Sequence, residues 1–166
     1  MAVRPVLLAV SGVKNSGKTT LIERLLPLLS VKGIRTAVIK HDGHGFTPDT
    51  PETDSFRFFV AGACGTAVFD GEKFAVSRRA LVTEKELLAF FPDADLILLE
   101  GFKNSEYKKL ELVRAGVSAS PVCDERTCIA IITDLDLKTN LPLFHPDSIE
   151  GIAEFIALYI KGANDD

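Results

Sequence analysis

Apolar residues in this chain gather into short unbroken runs, and between the runs they recur at intervals of three and four. Val6 to Val10, the segment DLILLEG from Asp95 to Gly101, and Cys128 to Ile132 are runs of strand length without alternation, the pattern of strands covered on both faces of a parallel sheet. Leu21, Leu25, Leu28 and Leu29 follow near-helical spacing. Within that helix Pro27 removes one hydrogen bond and crowds the carbonyl of Glu23, which predicts a kink, and Gly33 reads as the C-terminal stop. Thr36 to Ile39 is the next expected strand; strand, helix, strand in that order implies a right-handed crossover and a parallel sheet.

Further on, Thr53 or Asp54 can cap a helix whose apolar stripe is Phe56, Phe59, Val60 and Ala63. Residues 66–77 hold two β-rich runs around Asp70-Gly71, a type I′ turn signal that predicts a β-hairpin, either an insertion or an antiparallel edge. Thr83 with Glu86 forms a capping box for a short helix through Phe91. Lys103 to Lys109 reads as a charged loop, Leu110 to Val113 as an alternating strand and Ser118 to Thr127 as an irregular segment. Asp147 with Glu150 is a second capping box, before a final helix buried on Ile149, Ile152, Ile156 and Tyr159.

The first run leads into GVKNSGKTT, in which Gly12, Gly17, Lys18 and Thr19 match GxxxxGK(S/T), the phosphate-binding P-loop, between an expected strand and an expected helix. Each residue type has a physical task. Glycines let successive N–H groups wrap an anion where a Cβ would intrude. The helix start turns unpaired N–H groups and its positive dipole end toward the same point. Lys18 then reaches the β- and γ-phosphates as a point charge, and Thr19 offers its hydroxyl to Mg2+. The fold class expected is therefore α/β, P-loop NTPase-like: a mostly parallel twisted sheet flanked by helices, as one nucleotide-binding domain over residues 1–166.

Glu100 ends an apolar strand, where P-loop proteins keep a second carboxylate on the metal side, and with Thr19 it makes the expected Mg2+ set. Lys40 to Thr53 is a glycine-rich loop leaving the carboxyl end of a strand, where open α/β sheets bind ligands. His41 and His44 within it can share a metal, or hydrogen-bond phosphate or solvent. Arg57 is a surface arginine or an anion contact. A P-loop cannot choose a base, so guanine selection needs a carboxylate for N1–H and the 2-amino group. Asp134 follows the run Cys128 to Ile132 at the right sheet edge, with Asp136 as the alternative; each can equally be read as a plain turn residue.

Composition narrows the partners. The chain has 166 residues, is 46% hydrophobic and carries a net charge of −4, enough for one full core and unsuited to general nucleic-acid or membrane-surface binding. Three cysteines without a signal-peptide pattern or a membrane-length apolar run point to a cytoplasmic protein with reduced thiols. Cys123 and Cys128 have loose metal-ligand spacing but no second pair or nearby histidine, and read as structural thiols.

With SGKTTL, the strand ending VIKH before a His-rich loop, Asp54-Ser55 and Arg57 leading to Ala61-Gly62-Ala63, LILLEGFK and LVR in place, the chain resembles the molybdopterin-guanine dinucleotide biosynthesis protein B (MobB) family over almost its whole length. The resemblance implies a homodimeric GTP-binding protein, a weak GTPase at most, that assists the guanylyltransferase MobA in attaching GMP to molybdopterin. It implies a nucleotide site drawn from Gly12, Lys14, Asn15, Ser16, Gly17, Lys18, Thr19, Thr20, His41, His44, Asp54, Arg57, Gly101, Lys103 and Asp134, with Lys18 and Glu100 in the catalytic roles. Lys14 stands four residues before Lys18 instead of the five of the signature lysine in related ATPases, so no trans-acting lysine is expected. A metallochaperone-type GTPase and a P-loop small-molecule kinase are the alternatives, the latter without a compact arginine-rich lid.

Overall fold

The computed structural model describes residues 5–43, 45–47 and 49–165. In chain order the elements are β1 (Val6–Gly12), α1 (Lys18–Val31), β2 (Thr36–Lys40), α2 (Asp54–Val60), β3 (Gly65–Phe69), β4 (Phe74–Arg78), α3 (Glu84–Leu87) running into a 3-10 turn (Leu88–Phe90), β5 (Leu96–Glu100), β6 (Lys109–Val113), β7 (Cys128–Thr133), β8 (Leu143–Phe144) and α4 (Ile149–Asp165). They form two compact units, one of the residues up to His41 with those from Glu84 onward, the other Asp42–Thr83.

The larger unit holds a six-stranded sheet in the order β2-β5-β1-β6-β7-β8, parallel at every pairing. The expected mostly parallel sheet flanked by helices is what forms. Period two sorts its side chains: Leu8 and Val10 of β1 join Leu96, Leu98, Leu110, Leu112 and Ile132 under α1 and α4, whose Leu21, Leu25, Leu29, Ile152 and Ile156 complete that core. On the opposite face Ala9, Ile39, Ile97 and Leu99 pack with Leu87, Leu88, Phe91 and Phe102. Because β1 lies between β5 and β6, the chain leaves it at a point where neighbouring connections diverge, the crevice in which such sheets bind ligands.

Helix α1 runs through Pro27 without ending. Pro27 and Glu23 are both solvent-exposed, so the carbonyl that proline leaves unpaired can be hydrated. The helix stops as expected at Gly33, whose φ of 76° supports N–H bonds from Gly33 to Ser30 and from Ile34 to Leu29, the Schellman pattern.

Several local expectations differ from what forms. Lys109 is not in a loop but opens β6, and all five β6 residues are buried, including Glu111 at 1% exposure. Asp147 does not cap α4; its carboxylate meets Arg24 at 3.2 Å. The short β8 gave no pattern to read.

In the smaller unit Thr53 caps α2, its Oγ1 accepting the Phe56 N–H at 3.3 Å. No residue of α2 is buried; of the expected stripe Phe56, Phe59 and Ala63 are half-buried, while Val60 is 62% exposed. The hairpin forms as β3 antiparallel to β4, with Phe69 opposite Phe74. Its reversal lies one residue later than expected, at Gly71-Glu72. Asp70 and Lys73 form the closing pair, Asp70 also accepts the Glu72 and Lys73 N–H groups, and neither Asp70 nor Gly71 has the positive φ of a type I′ turn.

Candidate functional site

The carboxyl ends of β1, β2, β5, β6 and β7 meet at one edge of the large sheet. Register places Glu100 beside both Val10 and Lys40 and Gly12 beside Leu112. From Gly12 the chain turns through Asn15 (φ 63°) and Gly17 (φ 92°) into α1.

That turn needs its first glycine on steric grounds. A Cβ at Gly12 would lie 2.6 Å from the Leu112 carbonyl oxygen and 2.9 Å from Ser16 Oγ, at a φ of +135°. Gly17 occupies the cap position of α1, which has no side-chain cap and no acid in its first turn. The N–H groups that every helix leaves unpaired there stay directed outward. Ser16, 1% exposed, has a buried hydroxyl with no partner among the described residues. An uncapped helix start, a glycine cradle and an orphaned hydroxyl fit an anion of phosphate size.

Lys18 Nζ folds over the loop and donates to the carbonyls of Val13 at 2.7 Å and Gly12 at 3.4 Å. Burial holds its ammonium below the ordinary lysine range, opposed by Glu100 and reinforced by Lys40 and Lys103. Thr19 Oγ1 donates to Glu100 Oε1 at 2.9 Å, and Lys40 Nζ stands 3.6 Å from the same oxygen. Glu100 is 8% exposed. A hydroxyl and a nearly buried carboxylate in contact beside a lysine fit the hard oxygen ligands of Mg2+. Lys40 was not among the expected site residues, although VIKH ends a strand at this same edge.

Gly101 (φ 104°) and Phe102 (φ 51°) bend the chain away from Glu100. Ser11 Oγ donates to the Gly101 carbonyl, and Lys109, fully buried, donates to the carbonyls of Phe102 (3.3 Å), Lys103 (3.2 Å) and Ser105 (2.7 Å). Lys109 thus fixes the GFK turn that positions Glu100. His41 meets the Phe102 ring edge-on, with centroids 5.9 Å apart. His44 lies outside the described residues. Lys14, Asn15 and Thr20 are exposed on the loop and helix start. Asp54 and Arg57 pair with each other at 3.4 Å within the smaller unit.

At the end of β7, Asp134 accepts from Arg114 Nε at 3.0 Å and from the Ala115 N–H at 2.7 Å. The Ala115 amide first, and Arg114 next, hold its carboxyl below the usual range. Arg114 also reaches the loop: its Nη1 would be 3.5 Å from a Cβ on Gly17. Beyond this pair opens a cleft of about 500 Å³ lined by residues 115–119 and by Leu135, Asp136 and Leu137. Among the described residues no helix is long and apolar enough to cross a membrane.

Comparison with known proteins identifies the family of the chain. Residues 7–134 match the family model described as molybdopterin guanine dinucleotide synthesis protein B. The chain is 34% identical over 166 residues to the molybdopterin-guanine dinucleotide biosynthesis adapter protein of Escherichia coli K12, covering 95% of each chain. It is 34% identical to the probable adapter protein of Bacillus subtilis 168, covering 96% of each. The crystal structure of Bacillus subtilis MobB superposes with a TM-score of 0.72 at 32% identity, over 93% of this chain and 97% of that one. By its sequence over most of its length and by its fold, the chain belongs to the MobB family.

Proposed function

We propose that this chain binds Mg2+-GTP at the P-loop edge and serves as an adapter in molybdopterin-guanine dinucleotide synthesis, presenting nucleotide to the guanylyltransferase MobA that joins GMP to molybdopterin. The observation that carries the nucleotide reading is the contact of Thr19 with Glu100 beside Lys18, at a glycine cradle where a Cβ has no room. The adapter role rests on the names of its relatives.

In this reading the loop amides from Lys14 to Thr20, with Lys18, hold the β- and γ-phosphates. Thr19 and Glu100 are the residues that would hold Mg2+, which when bound would neutralise charge between the phosphates. Lys40 and Lys103 add positive charge beside Lys18 at the same edge. The cleft beyond Arg114 suits a purine, with Ala115, Val117 and Leu135 for its faces. Asp136 lines that cleft, while Asp134 braces its wall through Arg114 and Ala115; of the two, Asp136 is better placed to accept from guanine. The chain contains no glutamine, the residue that orients attacking water in Ras-type GTPases, so hydrolysis by the chain alone is slow.

If Glu100 serves Mg2+, Glu100→Gln lowers Mg2+-dependent nucleotide affinity at least about tenfold, roughly 1.4 kcal/mol, while affinity measured in chelator changes much less. Equal losses in both conditions would make Glu100 a structural carboxylate. The adapter role is tested by sedimentation and GTP turnover, each with and without the transferase. The expected results are a homodimer alone, a heavier complex with the transferase, and negligible turnover by the chain itself. A monomer that ignores the transferase, or rapid turnover unaffected by it, would contradict the adapter reading.

A further inference from the structure

On the face of β6 and β7 opposite α1 and α4, the buried carboxylate of Glu111 sits with two thiols. Glu111 Oε1 accepts the Val122 and Cys123 N–H groups. Its other oxygen accepts from the Cys123 N–H at 3.2 Å and from Cys128 Sγ at 3.6 Å. One ligand atom from each of Glu111, Cys123 and Cys128 lies within 4.8 Å of the others. Glu111 is 1% exposed and Cys128 6% exposed, and no lysine, arginine or histidine is ion-paired with Glu111 among the described residues. The Glu111 carboxylate is met by amide N–H groups and a thiol, while buried Lys109, two residues away on the same strand, directs its ammonium to the carbonyls of Phe102, Lys103 and Ser105; burying negative charge is costly unless it is paired directly.

We propose that Glu111, Cys123 and Cys128 form a binding site for a thiophilic divalent cation, zinc above all, with one coordination position left open. Two sulfurs and one carboxylate oxygen are a donor set that favours zinc over magnesium. Tetrahedral zinc with ordinary bond lengths holds sulfur and oxygen ligands about 3.6 Å apart, and the Cys128 to Glu111 separation is 3.6 Å. Binding replaces the thiol protons, which leave to solvent, so that two thiolates and a carboxylate share the dication.

The site is held ready by its own loop. Thr127 donates to the Asp124 carbonyl through both its N–H (2.9 Å) and its hydroxyl (2.7 Å), and Cys128 N–H reaches Glu125 at 3.1 Å. These bonds close the four residues between the cysteines into a compact turn. Cys123 is only half-buried, which gives an ion its way in. The proposal stands independently of nucleotide binding.

The test is titration of the whole chain, reduced and stripped of metal, with Co2+ under anaerobic conditions. One equivalent should produce thiolate-to-cobalt charge-transfer absorption, removed by one equivalent of Zn2+. Cys123→Ser and Glu111→Gln, each checked for folding by circular dichroism, should weaken binding at least about tenfold, whereas Cys64→Ser, which alters an exposed cysteine outside the cluster, should change nothing. Absence of the absorption band in the unmodified chain, its survival in folded Cys123→Ser, or its loss in Cys64→Ser would each overturn the site.

Discussion

Lys18→Ala is expected to lower nucleotide affinity at least about 100-fold, roughly 2.7 kcal/mol, while the protein stays folded. The free ammonium is held by the Val13 and Gly12 carbonyls. Alanine forfeits those hydrogen bonds but also relieves the burial of a charge, so the net change in stability is about 1 kcal/mol or less. Alkali should imitate the substitution. Burial places the Lys18 pKa below its ordinary 10.5, and bound phosphate favours the charged form. Affinity therefore falls as pH rises through the lowered pKa of the free protein, earlier than for an exposed lysine. Isothermal titration across pH, with thermal melting as the folding control, checks both parts. A folded mutant with unchanged affinity would remove Lys18 from the phosphate site.

Gly12→Ala should act on the fold itself. The added methyl meets the Leu112 carbonyl at 2.6 Å and Ser16 Oγ at 2.9 Å, at a φ of +135°. The first obstacle belongs to the backbone of the neighbouring strand β6 and cannot rotate away. Strain of the dihedral and overpacking together cost about 2–5 kcal/mol, a fall in melting temperature of roughly 5–15 °C for a chain of this size. Gly162→Ala is the contrasting control: nothing lies within 4 Å of its Cβ and it is inside α4, where alanine stabilises a helix by about 0.5–1 kcal/mol. Equal melting of Gly12→Ala and the parent would mean that this glycine is not sterically required.

The parts legible in the sequence are those whose cause is local. Val6 to Val10 and Leu96 to Leu99 could be read as central strands because a strand covered on both faces has no reason to alternate. Gly33 was legible because only a left-handed residue closes the Schellman pattern. Lys109 and Glu111 were opaque for the opposite reason: their charges are buried among the carbonyls of Phe102, Lys103 and Ser105 and the amides of Val122 and Cys123, partners supplied by tertiary structure. Alternation such as that of Leu110 to Val113 ordinarily marks a strand with one solvated face, whereas all five residues of β6 are buried. Val60 failed as a core position because propensity and spacing specify a helical face without specifying what covers it. At the site, Gly12, Lys18 and Thr19 were visible through fixed spacing, and Glu100 through its place at a strand end. Lys40 came to the site only through the pairing of β2 with β5, and Arg114 through its reach toward Gly17.

Guanine selection by the P-loop edge is decided by a competition titration of the unmodified chain with GTP and ATP in the presence of Mg2+. An acid in the cleft favours a ring edge with two adjacent donors over one that presents an acceptor, and a mismatched base leaves that carboxylate unpaired. One GTP should bind per chain, at least about tenfold tighter than ATP, roughly 1.4 kcal/mol, with most of that gap lost in Asp136→Asn. Equal affinities for the two nucleotides, or no saturable binding of either, would contradict it.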